Sequence, residues 1–115
     1  MGYDSRLYIV ERFEYRGKAH AYEIAQFDMC VMGSDSGFHE LFDTNIDYEI
    51  CDGGKYTMTD CYGAVCKWAH VGTVIEWLRK EVRHSDYRRL KPLLGFLEGI
   101  DESQWGELQI VHFGC

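Results

Sequence analysis

RLYIVERFEYRGKAHAYEIAQFDM, running from Arg6 to Met29, reads as two strands around a turn, and this hairpin decides the fold. From Arg6 to Glu14, Leu7, Ile9 and Glu11 oppose Tyr8, Val10 and Phe13, the period of two that marks a strand. Tyr15-Arg16-Gly17-Lys18 is the turn, and residues 19–29 return with Tyr22, Ile24 and Phe27 as their core contacts.

Beyond the hairpin, Ser34-Asp35-Ser36-Gly37 reads as loop or helix cap, and Phe38 to Phe42 as one short helical turn. Residues 48–51 and 56–59, joined through Asp52-Gly53-Gly54-Lys55, predict a second hairpin. Val65 to Trp68 follows as a short extended piece. Thr73-Val74-Ile75-Glu76 spells a capping box, which predicts a helix from there to about Arg83 with Val74, Ile75, Leu78 and Val82 on one stripe. A second helix begins near Leu90, because Pro92 is tolerated only in a first turn. It turns Leu90, Leu93, Leu94 and Leu97 inward and stops at Gly99. Leu108 to Phe113 (LQIVHF) is apolar on both faces, as a central strand covered on each side would be. The expectation is an α+β fold: one domain over residues 1–115, with an antiparallel sheet of about five strands and two C-terminal helices packed on it.

Composition narrows the class. With 46% hydrophobic and 15% aromatic residues in 115, the chain can bury a core and is not disordered. No apolar run approaches the roughly 20 residues that span a bilayer, and the first residues do not read as a signal peptide. Five cysteines, an odd number, without a mark of secretion suggest reduced thiols in a cytoplasmic setting. The net charge of −7 is uneven: residues 1–60 hold 12 acids and 5 bases, residues 61–115 hold 7 of each. No Lys or Arg stands between Lys18 and Lys55, while Asp35, Asp43, Asp47, Glu49 and Asp52 do. Such a surface repels nucleic acid and suits basic partners, although a solvated acidic face also simply keeps a small protein soluble.

Cys61-x4-Cys66-x3-His70 is compact enough to hold one ion, and zinc takes four thiolate or imidazole ligands. His39 is taken as the fourth ligand of a structural zinc, with Cys30, Cys51, His112 and Cys115 as alternatives. A structural ion is favoured because no H-E-x-x-H or H-x-E arrangement accompanies the ligands. The competing reading makes Cys30, Cys51 and Cys66 small buried hydrophobes and His70 a loop residue. Cys66 with His70 lacks an orienting group for thiolate catalysis, and His84-Ser85-Asp86, being neighbours in sequence, cannot face one another as a triad. No catalytic residue is therefore assigned.

The opening Gly2-Tyr3-Asp4-Ser5-Arg6-Leu7-Tyr8-Ile9-Val10-Glu11 and the closing Gln104-Trp105-Gly106-Glu107-Leu108 with Val111-His112-Phe113-Gly114 resemble small phage and prophage proteins. Among these are acidic anti-CRISPR proteins, inhibitors of type II-A systems. The resemblance covers about a third of the chain. It implies a non-enzymatic, phage-encoded inhibitor that binds an RNA-guided nuclease of the host and blocks DNA loading or cleavage. The acidic surface from Asp35 to Asp60 would then be the docking surface, on a zinc-stabilised scaffold. Two other readings stand beside it. One is a small zinc-dependent hydrolase with Glu40 beside His39; the other is a zinc-stabilised nucleic-acid-binding module using the basic patch Arg79, Lys80, Arg83, Arg88, Arg89 and Lys91.

Overall fold

The computed structural model describes residues 5–30, 37–60, 62–83, 90–100 and 105–114. Strand β1 (Ser5–Tyr15) turns back as β2 (Lys18–Cys30); a 3-10 turn (His39–Leu41) leads to β3 (Thr44–Asn45). A small hairpin follows, β4 (Ile50–Asp52) and β5 (Lys55–Thr57), then β6 (Lys67–Ala69), α1 (Val71–Glu81), α2 (Leu90–Gly99) and β7 (Glu107–Gly114). The main sheet is antiparallel throughout, in the order β2-β1-β7-β6-β3, while β4 and β5 pair only with each other. The expected α+β architecture is what the chain adopts. None of its described helices is long and apolar enough to cross a membrane.

Both faces of the sheet are covered. On one, Leu7, Ile9, Leu108 and Ile110 pack against Val74 and Leu78 of α1 and Leu93 and Leu97 of α2. On the other, Tyr8, Val10, Val111 and Phe113 pack against Ile46, Tyr48 and Ile50, so the segment leading into β4 and its hairpin form a thin second layer. This is why β7, third of the five strands, is apolar on both sides: alternate residues of a strand serve opposite faces, and here both are buried.

Both hairpins close through two residues with positive φ, Arg16 (53°) with Gly17 (75°) and Gly53 (60°) with Gly54 (85°). This pattern matches the right-handed twist of the strands they join.

Three local expectations are corrected. Phe13 continues the Leu7–Ile9 face, where its ring stacks on that of His20, its cross-strand partner, at 5.5 Å. Tyr22 is not a core residue but 63% exposed. It lies opposite Glu11 on the Leu7–Ile9 face, and a bulge puts it there: Ile9 pairs with Ala25 and Val10 with Glu23, leaving Ile24 as an extra residue on β2. Beyond it the alternation flips, so Ala25 and Phe27 pack toward the helices whereas Ala19 and Ala21 pack toward the second layer. Helix α1 starts at Val71, not Thr73, with His70 as N-cap and no side-chain cap. Burial of Val71 together with Val74 and Leu78, at helical spacing, outweighs the capping box, which is worth about 1 kcal/mol.

Candidate functional site

The acids of the lysine-free stretch are placed by the apolar residues between them. From Ile46 to Ile50 the chain alternates strictly: Ile46, Tyr48 and Ile50 are buried against the sheet, and Asp47 and Glu49 therefore point to solvent. The inward set is fixed by more than burial. The Tyr48 hydroxyl donates a 2.6 Å hydrogen bond to Gln109 Oε1, and Gln109 is the one buried polar side chain among the described residues. Burial holds the Tyr48 phenol well above the usual tyrosine range. The Ile46 N–H donates to the carbonyl of Cys66 at 3.0 Å, and the Cys66 N–H to the carbonyl of Met58 at 2.8 Å, which ties the second layer into one piece. Asp43, Asp47 and Glu49 are all exposed.

Arg12 sits within this acidic surface, a feature the linear charge count did not reveal. Its guanidinium grips Asp47 with two bonds, Nε to Oδ1 at 2.9 Å and Nη2 to Oδ2 at 2.6 Å. It also reaches Glu14 at 3.3 Å and Glu107 at 3.4 Å. The Arg12 hydrogen bond is the main reason the Asp47 carboxyl titrates below the usual range. Three carboxylates around one guanidinium leave a net negative cluster, contributed by β1, β7 and the segment before β4. The signal available in the sequence was parity: Arg12 and Glu14 lie on the Tyr8–Val10 face, and Glu107 is the β7 partner of Arg12.

The other assigned residues separate. Asp35 lies outside the described residues, as does the side chain of Asp52. Asp60, at the end of the acidic stretch, accepts bonds from the N–H groups of Tyr62 (2.9 Å) and Ala64 (3.1 Å), so it shapes a turn. Of the four residues assigned to zinc, Cys61 and the side chain of His39 also lie outside the described residues. The remaining two do not form a site together. Chain 65–69 is extended, which puts Cys66 and His70 about 13 Å apart at roughly 3.3 Å per residue. Trp68 stands between them, its ring edge-to-face with His70 at 4.7 Å. The Cys66 thiol is 2% exposed among Tyr8, Tyr48 and Val111, whereas His70 faces solvent. Cys66 is thus part of the second-layer core and His70 part of the surface, and the structure does not group the two. Among the described residues no three His, Cys, Asp or Glu side chains are grouped to hold a metal.

At the basic corner, Arg79 of α1 is spent on Glu98 of α2, with Nε and Nη2 at 2.9 and 2.8 Å from one carboxylate oxygen. Lys80, Arg83 and Lys91 are exposed, and Arg88 and Arg89 lie outside the described residues.

Comparison with known proteins finds no matching family model, curated protein or solved structure.

Proposed function

We propose that this chain is a non-catalytic binding protein whose acidic second layer docks on a basic surface of a nucleic-acid-handling protein. One observation carries the reading: the period-two alternation from Ile46 to Ile50 that buries Tyr48 also holds Asp47 and Glu49 outward on a braced layer, next to the Glu14–Glu107 cluster. Carboxylates presented on a rigid support attract a basic groove without the entropy cost of ordering a loop. In such a groove they would stand where phosphates otherwise lie, and the bound protein would compete with nucleic acid.

The sequence resemblance to anti-CRISPR proteins supplies the partner to test, an RNA-guided nuclease. The experiment is cleavage of target DNA by a purified type II-A effector with its guide, with the chain added either before or after the DNA. The reading expects inhibition when the chain comes first and little when the DNA is already loaded. Inhibition independent of order would contradict competition for the groove, and unimpaired cleavage would remove this nuclease as the partner.

A further inference from the structure

Strand β2 is outermost on its side of the sheet, and among the described residues nothing pairs with its outer edge. A long strand with unpaired N–H and C=O groups is a template for another chain. Over residues 18–23 this edge faces a groove made of two adjoining hollows of about 480 and 330 Å³. On the sheet side the first is lined by Lys18, Ala19, His20 and Ala21, the second by Ala21, Tyr22 and Glu23 with Val10 of β1. Consecutive residues of a strand point to opposite faces, so a groove touched by all of them reaches the backbone edge, and Val10 of β1 extends it inward beneath the second layer. The opposite wall is also consecutive, residues 47–51, and Tyr56 borders both hollows.

The chemistry of the lining selects an occupant. Glu23, Asp47 and Glu49 face the groove with a single lysine, Lys18, and the whole chain carries −7, so a second copy would bring like charge. Ala19 and Ala21 leave space beside the strand, while Tyr22 and Tyr56, 63% and 73% exposed, offer ring faces to a cationic side chain.

We propose that the outer edge of β2 over residues 18–23 takes up an extended, Lys- or Arg-bearing segment of a partner protein as an added strand. The segment lies between Ala19–Ala21 and Asp47–Glu49. This rests on the acidic docking face proposed above and gives it a mode of recognition. Main-chain hydrogen bonds supply the grip, and the carboxylates select alternate basic side chains.

The test titrates a twelve-residue peptide alternating Lys and Val into the isotope-labelled full chain, with amide resonances as the readout. Two further peptides carry N-methyl groups on one or the other alternate set of backbone nitrogens, and a fourth has Glu in place of Lys. The proposal expects shifts centred on residues 18–23. It also expects at least roughly tenfold weaker binding for one of the N-methylated peptides and for the Glu peptide. If both N-methylated peptides bind like the parent while the Glu peptide does not bind, strand addition is overturned and the acidic face stands. If Lys and Glu peptides bind alike, the acidic reading itself fails. Binding that leaves residues 18–23 unshifted, no binding by any peptide, or a free chain already dimeric through those amides each overturns the proposal.

Discussion

The hydroxyl of Tyr48 donates to Oε1 of Gln109 across 61 residues of sequence, at 2.6 Å, and joins the acidic layer to the central strand. Tyr48→Phe would keep the ring and leave a buried amide oxygen without its donor, at a cost of about 1–3 kcal/mol in denaturant unfolding. A Tyr48→Phe, Gln109→Leu double variant, apolar on both sides, should recover part of that loss. The phenol adds a pH signature. Its folded-state pKa is raised, so the corresponding stability is complete below about pH 10 and is lost as pH rises through the raised value. Unfolding free energy of the wild type should fall on that alkaline limb more steeply than that of Tyr48→Phe.

Asp47 behaves in the opposite direction. Its pKa is depressed, chiefly by the hydrogen bond from Arg12, so its contribution is present above about pH 4 and disappears as pH falls through the lowered value. Comparing wild type with Asp47→Asn in unfolding titrations should show a shallower acid limb for the variant. The difference should shrink in high salt, because the pair is solvent-accessible. Identical acid limbs would mean the Arg12 contact carries no energy.

Ile24 is expected to matter more by its presence than by its size. Ile24→Val removes one methylene from a partly buried side chain and should cost about 1 kcal/mol or less. Deleting Ile24 would close the bulge and send either Ala25 and Phe27 or Ala19 and Ala21 to the wrong face. The deletion should abolish the cooperative unfolding transition seen by circular dichroism; a folded deletion variant would show that the register is not set there.

These particulars separate what was legible in the sequence from what was not. Leu108–Phe113 announced a central strand because burial on both faces leaves no polar alternation. The glycine pair Gly53-Gly54 announced its hairpin because both turn residues need positive φ. The bulge had no local signature: 19–27 alternates plausibly with or without it, and only the Ile9–Ala25 and Val10–Glu23 pairing reveals the flip that sets the face of Tyr22. Thr73 and Glu76 spelled a helix start that tertiary burial of Val71 moved. Cys66 and His70 looked close because three intervening residues are a short step in a loop but a long one in extended chain. Within the candidate site the acids were readable from the charge count; parity put Arg12 on the Tyr8–Val10 face, but its pairing with Asp47, 35 residues away, exists only in the folded sheet.

Whether the acidic layer is the docking surface is decided by the affinity of the purified chain for a type II-A RNA-guided nuclease. The comparison is between wild type and an Asp43→Lys, Glu49→Lys variant at low and high salt. Both substituted residues are exposed, so the variant should melt like the wild type, which thermal unfolding verifies. Binding should weaken with salt, and the variant should bind at least roughly tenfold more weakly at low salt. Equal affinity of the two, with folding intact, would place the docking surface elsewhere.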